Sequence, residues 1–152
     1  MPQSRFVYVT YIRTTPEKLW HALTTAEPLK QCWMGASLES DWKLGSPWRA
    51  ASADGRLYDT GEVIESVPPN RLVLLWQSEW NPEFKAEGVS RCVYEIEPVG
   101  TIVKFTITHS IEHSDSEFIA SIADAWPIAV SNIKSLLETG KVALLENPRH
   151  AH

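Results

Sequence analysis

Tryptophan is the residue type in this chain that is best suited to form a binding site for a small molecule. The sequence holds seven tryptophans, against four phenylalanines and four tyrosines. An indole combines a large flat apolar surface with an N–H that needs a hydrogen-bond acceptor when it is buried. A cavity lined by indoles could therefore hold an apolar ring and also orient a polar group on that ring.

The run RLVLLWQSEW, which begins at Arg71, indicates which tryptophan points inward. Side chains alternate between the two faces of a strand. One face therefore holds Leu72, Leu74, Trp76, Ser78 and Trp80. We expect Trp76 to be the main wall residue of an internal cavity.

The same alternation adds candidates from two later runs. One face of VSRCVYEIEP carries Cys92, Tyr94 and Ile96, and one face of TIVKFTITHS carries Val103, Phe105, Ile107 and His109. The alternative that these side chains only fill the core stays open, because aromatic stripes are ordinarily packing. The predicted ligand-binding residues are Trp33, Trp76, Tyr94, Phe105, Ile107, His109 and Trp126.

His109 ends an otherwise apolar row, where a titrating or hydrogen-bonding group could orient a ligand. Acid–base work would need a partner within hydrogen-bond reach, which a sequence does not supply. A structural histidine with satisfied hydrogen bonds is the alternative. The polar pairs Arg91 with Glu95 and Thr60 with Glu62 are expected on the outer face rather than in the pocket.

No catalytic or metal-binding motif stands out. The chain has no G-x-S-x-G elbow, no P-loop and no H-E-x-x-H. Its two cysteines, Cys32 and Cys92, are far apart and have no second cysteine at metal-ligand spacing. We predict no metal and no cofactor, assign no catalytic residue, and leave open whether a reaction is catalysed.

Composition excludes several classes of protein. The chain has 152 residues, 43% of them hydrophobic and 22% charged, which indicates one globular domain over 1–152 with its core at about 5–140. A net charge of -5 argues against nucleic-acid binding. No apolar run is long enough to span a bilayer and no export signal opens the chain, so we expect a cytoplasmic protein.

The order of elements follows from residue patterning. A first strand at Arg5–Arg13 precedes a helix that Thr15 caps and Pro16 begins, and Pro28 is expected to separate it from a second short helix that ends at Gly35. About six strands follow between Ala36 and His109. Their runs are ASLESDW, PWRAASA, RLYDTGEVIESV, RLVLLWQSEW, VSRCVYEIEP and TIVKFTITHS.

A long helix is predicted to close the chain. It begins near Ser114, where Ser114 and Glu117 have the spacing of a capping box, and it ends at Gly140. Pro127 predicts a break near Trp126. The apolar stripe of this helix is Ile119, Ile122, Trp126, Val130, Ile133 and Leu137.

This element order predicts an α+β fold in which a curved antiparallel sheet of about seven strands wraps around the terminal helix. Two short helices follow the first strand. Space is left wherever the side chains of the sheet and the helix do not meet, and such concave interiors are common ligand sites.

Several segments resemble one known family. They are TTPEKLWHALTTAEPLKQCWMG near the start, GEVIESVPPNRLVLLW in the middle, and TITHS followed by AWPIAVSNIKSLLETG near the end. Together they resemble the Hsp90 ATPase activator-homologue family of the START-like (SRPBCC) superfamily, over about residues 5–140. The resemblance implies the helix-grip fold, also called Bet v 1-like or START-like.

Three functions are considered. The leading hypothesis is binding of an apolar or aromatic small molecule in an internal cavity. A cyclase- or hydrolase-like enzyme acting on such a metabolite is the second, and an Hsp90 partner module is the third. Hsp90 is not expected as a partner, because the related co-chaperones carry an additional N-terminal domain for which this length leaves no room; a homodimer is left open.

Overall fold

A computed structural model of the protein describes residues 3–144, so the terminal HAH tail lies outside the described residues. No helix within that range is long and apolar enough to cross a membrane. The elements in chain order are β1 Ser4–Ile12, α1 Pro16–Thr24, α2 Ala26–Cys32, β2 Ser37–Ser40, β3 Pro47–Ala51, β4 Leu57–Val67, β5 Arg71–Ser78, α3 Pro82–Ala86, β6 Ser90–Val99, β7 Ile102–Ile111 and α4 Glu117–Thr139.

All seven strands form one antiparallel sheet in the order β1-β7-β6-β5-β4-β3-β2. The strands from β2 to β7 form a meander, and β1 joins it by pairing with the last strand, from Ser4 opposite Ile111 to Ile12 opposite Val103. The predicted α+β helix-grip fold, with its curved seven-stranded sheet and long C-terminal helix, is confirmed.

The predicted break at Pro127 is wrong, because α4 runs without interruption from Glu117 to Thr139. A proline in a helix interior costs about 3 kcal/mol, chiefly through a lost hydrogen bond and a steric clash. The side chains beside it are Trp126, Ala129 and Val130, and each is at most 1% exposed. Burial of this apolar stripe against the sheet offsets the local loss.

The start of α4 also differs from the prediction. Its N-cap is Ser116, whose Oγ accepts a hydrogen bond from the Ile119 N–H at 2.9 Å, so the capping box at Ser114 is wrong. Glu87 lies against the same end of the helix and accepts from the Glu117 N–H at 3.0 Å and from the Ser116 hydroxyl. A carboxylate is favourable at a helix N-terminus, and this one comes from a distant segment that local patterning does not reveal.

The two short helices separate at Thr25, not at Pro28 as predicted. Thr15 caps α1 as expected and accepts from the Lys18 N–H at 3.2 Å. Pro28 lies in the first turn of α2. Backbone N–H groups there have no acceptor within the helix, so the absence of an N–H costs no helical hydrogen bond.

Asn132, a fully buried residue of α4, fixes the end of α2. Its Nδ2 donates to the Cys32 carbonyl at 3.1 Å and to the Leu144 carbonyl at 3.0 Å, and its Oδ1 accepts from the Leu144 N–H at 2.7 Å. Because Trp33 directly follows Cys32, these bonds also set where that indole lies.

The short helix α3 was not predicted, although Asn81-Pro82 is a recognisable start signal. The Asn81 side chain accepts hydrogen bonds from the N–H groups of Glu83 and Phe84 at 2.9 and 3.1 Å. The helix places Phe84 against Phe118 of α4, with ring centroids 5.8 Å apart.

Gly61 allows the side chain of Trp48 to lie across β4. The Trp48 indole N–H donates to the Leu75 carbonyl at 2.9 Å, although β4 lies between their strands. A Cβ on Gly61 would lie 1.7 Å from that carbonyl oxygen and 2.3 Å from Trp48 Nε1. The absent side chain therefore makes room for the indole, which packs edge-on against Trp76 with centroids 4.6 Å apart.

We expect Gly61→Ala to destabilise the fold by about 3 kcal/mol or more, because either the indole or the strand must move. Urea unfolding followed by circular dichroism measures this. Glu62→Ala, an exposed neighbour on the same strand, is the matched control and should change stability by less than about 0.5 kcal/mol. Equal effects of the two substitutions would contradict the packing role given to Gly61.

Candidate functional site

A cavity of about 420 Å³ lies between the sheet and α4 and is partly open to solvent. Its volume is in the range of ligand pockets, and its wall is mostly apolar with a few polar groups. The lining residues are Trp33, Ala36, Leu38, Ala50, Arg56, Tyr58, Asp59, Trp76, Trp80, Phe84, Phe118, Ser121, Ile122 and Ala125.

The mouth of the cavity carries an exposed aromatic group. Trp80 is 53% exposed, and its ring meets Tyr58 at 6.3 Å and Phe84 at 6.0 Å between centroids. Arg56, also exposed, lines the cavity as well. A ligand entering here would meet rings and one cation before it reached the buried wall.

Two of the predicted site residues, Trp33 and Trp76, line this cavity. The remaining ones lie outside its lining and are buried in the adjoining core: Tyr94, Phe105, Ile107, His109 and Trp126. The seven side chains therefore lie in one region. Five of them occupy core positions, which agrees with the alternative that they only fill the core. Ligand contact by this set stays a prediction.

Trp76 connects the cavity wall to that core. It is 4% exposed, and its ring lies 5.1 Å from His109 and 5.9 Å from Trp126, measured between centroids. Trp126 in turn meets Trp33 at 5.1 Å. Because edge-on ring pairs are favourable and rigid, the inner wall is set by packed rings rather than by a flexible loop.

His109 is fully buried, and its two ring nitrogens have partners. The Trp126 indole can only donate, so Nδ1 of His109 accepts its N–H at 3.2 Å. Nε2 must then carry the proton and donate to the Ser90 hydroxyl at 2.8 Å, and that hydroxyl donates to the Trp76 carbonyl at 3.2 Å. Burial lowers the pKa of His109 to about 3, so the ring is neutral and structural.

Asp59 is an ionisable group of the cavity wall that was not predicted from the sequence. Burial raises its pKa to about 7, the Trp76 indole N–H acts in the opposite direction, and the nearby Glu79 carboxylate adds to the rise. The Trp76 N–H lies close enough to Asp59 to stabilise its carboxylate, but within residues 3–144 it makes no well-aligned hydrogen bond. The cavity wall thus holds the indole N–H of Trp76 close to the carboxyl of Asp59.

The sequence did carry a weak signal for Asp59. It lies in the middle of the strand-like run RLYDTGEVIESV, where aspartate is unfavourable without a specific role. Its partner across the sheet is Ser78, which belongs to the Trp76 face of β5. The fold was needed to show that this row faces the cavity.

Glu79, next to that face, has satisfied hydrogen bonds. It accepts from Lys85 at 2.8 Å, from Thr60 at 2.6 Å and from Gln77 at 2.9 Å. These bonds lower its pKa to about 2, so it is a carboxylate throughout the neutral range. A second carboxylate beside Asp59 makes the wall unfavourable for an anionic ligand.

The thiols offer no reactive group to the site. Cys32 and Cys92 are buried and unpaired, and burial raises the pKa of the Cys32 thiol to about 11 and that of Cys92 well above its ordinary value. A protonated, buried thiol is a poor nucleophile. Within residues 3–144 there is also no group of three or more metal-ligating side chains.

A second depression of about 440 Å³ lies between α1, α2 and α4, away from the aromatic wall. Charged side chains, including Glu17, Lys18 and Glu27, contribute to its lining. None of the buried polar atoms that lack a partner within residues 3–144 belongs to this depression. The inner cavity is therefore the better candidate site.

Comparisons with known proteins agree with this fold. A model of the family described as "Activator of Hsp90 ATPase homolog 1-like protein" matches residues 13–138, which is most of the chain. No curated protein matches the sequence significantly.

Solved structures with the same fold share few residues with this chain. The Aha1 dimer from Colwellia psychrerythraea is 22% identical with a TM-score of 0.74, and the match covers 91% of this chain and 98% of that one. An HSP90 activator from Plasmodium falciparum is 22% identical with a TM-score of 0.71, covering 88% and 95%. A protein from Mesorhizobium loti is 20% identical with a TM-score of 0.76, covering 91% and 100%.

The raised pKa of Asp59 predicts a pH-dependent stability difference between the wild type and Asp59→Asn. Unfolded Asp59 ionises near 3.8 and folded Asp59 near 7, so ionisation in the folded state lowers stability as pH rises between these values. The stability of Asp59→Asn relative to wild type should therefore increase between pH 4 and 7, by at most about 1.4 kcal/mol per pH unit, and level off above.

Urea unfolding at several pH values measures this difference. The comparison with the variant is needed because His109 acts in the opposite direction: its lowered pKa makes acid destabilising between about pH 6.5 and 3. The two effects oppose each other in the wild type, whereas the difference isolates Asp59. A difference that stays flat from pH 4 to 8 would show that Asp59 titrates normally.

Proposed function

The chain belongs to the family of Activator of Hsp90 ATPase homolog 1-like proteins, and from this premise we propose that it binds an apolar or aromatic small molecule in the cavity between the sheet and α4. The observation that carries the proposal is the cavity wall, where rings from several elements surround an open space next to Asp59. Protein cores are normally close-packed, so core packing alone does not account for an open space of this size.

The proposed contacts come first from the residues that line the cavity. Trp33 and Trp76 are the predicted residues among them, and Trp80, Tyr58 and Phe84 extend the aromatic wall toward the mouth. His109 and Trp126 support the wall from behind, through the hydrogen bond that joins them. A cytoplasmic location, expected from composition, stays a prediction.

An enzyme acting on the bound molecule is the alternative that Asp59 favours, since a partly buried carboxyl with a pKa of about 7 has the properties of an acid or base. Catalysis would also require a second group that acts on the reacting atoms. His109 is committed to Trp126 and Ser90, and the two thiols are protonated. Binding is therefore the better supported proposal.

An Hsp90 partner module is a second candidate, favoured by one specific comparison. The HSP90 activator from Plasmodium falciparum is matched over nearly its whole length. Chain length, the reason for setting Hsp90 aside, therefore does not separate this protein from such activators.

A homodimer also stays a proposal. The related Colwellia protein is a dimer. In this chain β1 is an edge strand, and Val7, Val9 and Tyr11 on its outer face are 44–49% exposed. A second copy would cover this apolar stripe.

The binding proposal predicts that a larger side chain in the cavity weakens binding without unfolding the protein. In the wild type, naphthalene should quench tryptophan emission saturably, because three tryptophans line the cavity. Ala125→Phe, which adds a ring at the cavity wall, should weaken binding by about tenfold or more. Ala120→Phe, at an exposed position of α4, is the matched control and should bind naphthalene normally.

Circular dichroism would verify that both variants are folded. Unchanged quenching in Ala125→Phe would place the probe elsewhere on the protein. Absence of saturable quenching in the wild type, over a panel of apolar ring compounds, would refute the binding proposal itself.

The Hsp90 candidate is tested by the ATPase turnover of Hsp90 with micromolar amounts of this protein. We expect no stimulation, because among residues 3–144 the large exposed apolar side chains outside β1 are far apart in sequence, namely Leu44, Leu57, Val67, Trp80, Val89 and Val99. Several-fold stimulation that persists in Ala125→Phe would instead establish a chaperone role independent of the cavity.

A further inference from the structure

The polar groups of the cavity wall narrow the class of ligand. Trp76 Nε1 is buried and has no hydrogen-bond partner within residues 3–144. Trp76 lines the cavity together with Asp59, and its indole N–H lies close enough to that carboxyl to lower its pKa. An unpaired buried donor is costly, which makes such a group a marker of a site where something else is bound.

The sheet holds these two groups side by side. Gly61, two residues after Asp59 on β4, lies opposite Trp76, and Asp59 lies opposite Ser78. Since residues two apart on a strand share a face, both side chains point to the concave side. Trp48 and His109 pack against the Trp76 ring and prevent it from turning away.

Few ligand groups satisfy a donor and a carboxylate together. A hydroxyl can accept from an N–H and donate its own proton to a carboxylate at the same time. An ether or carbonyl oxygen could only accept, so it would offer no donor to Asp59 once that carboxyl is ionised, as it is at pH 8. An ammonium group could only donate and would leave the Trp76 N–H unpaired.

The surrounding charges also favour a neutral ligand. Asp59 and Glu79 both oppose a negative charge at the wall. Arg56 lines the same cavity and opposes a positive charge. The apolar rings around them suit an aromatic body.

We propose that the cavity selects neutral aromatic ligands that carry a hydroxyl group, which accepts the Trp76 Nε1–H and donates to the carboxylate of Asp59. This inference rests on the proposed ligand-binding function and adds the chemical class of the ligand. It assigns Trp76 and Asp59 as a specificity-determining pair, and it gives Trp80 and Phe84 only an apolar role.

The test compares probes of the same shape by isothermal titration calorimetry at pH 8. The probes are 2-naphthol, 2-methoxynaphthalene, naphthalene and 2-naphthylmethylammonium. We expect 2-naphthol to bind about tenfold more tightly than the methoxy and unsubstituted compounds. Trp76→Phe and Asp59→Leu should each reduce this ratio to about one.

Two further variants serve as controls. Trp80→Phe removes an indole from the same cavity but not the buried N–H, so the preference for 2-naphthol should persist. Asp59→Asn keeps an acceptor oxygen and should retain part of the preference, which a loss of folding would not do. Circular dichroism of every variant identifies those that are folded.

The outcomes separate the two proposals. Saturable binding of all four probes with equal affinity would overturn the hydroxyl inference and leave the ligand-binding function standing. Preference for the ammonium probe would overturn it in favour of a cationic ligand. If no probe binds to the folded wild type, the inference falls together with the proposed function.

Discussion

The indole N–H of Trp126 can only donate a hydrogen bond, so its bond to His109 sets the direction of the hydrogen bonds that follow it. His109 must then donate to Ser90, and Ser90 to the backbone of Trp76. This series of hydrogen bonds connects α4 to β7, β6 and β5, so it fixes the rotation of α4 about its own axis over the sheet. That rotation determines that Phe118, Ile122 and Ala125 face the cavity.

The interior consequently has two ends with different hydrogen-bonding states. At the His109 end, donors and acceptors are matched and rings fill the space. At the Asp59 end, Trp48 crosses β4 above Gly61 and supports one side of Trp76, while the indole N–H of Trp76 stays unpaired. Hydrogen-bonding groups are thus matched at one end of the interior, and at the other end a donor without a well-aligned partner lies in the wall of the cavity proposed to bind a ligand. Pre-organised walls of this kind reduce the entropy that a ligand must lose on binding.

Local periodicity was sufficient for the strands, the capped first helix, the extent of α4 to Gly140 and the inward face of Trp76, because each depends on residues that are near in sequence. The errors have the opposite origin. Pro127 is tolerated because the packing of its neighbours outweighs one lost hydrogen bond, and Ser116 caps α4 together with Glu87, which is distant in sequence. Asp59 was missed because its burial depends on the register of β4 with β5 and on α4 lying over both.

The pairing of β1 with β7 has a consequence for the order in which the chain can acquire its structure. Residues 4–12 leave the ribosome about a hundred residues before their hydrogen-bonding partners, residues 103–111. During synthesis β1 is therefore an unpaired strand with apolar residues on both faces, and α4, which covers its inner face, is made later still. Such non-local closure slows folding. Until β7 has been made, the nascent chain must therefore keep the unpaired, apolar β1 from pairing with other strands.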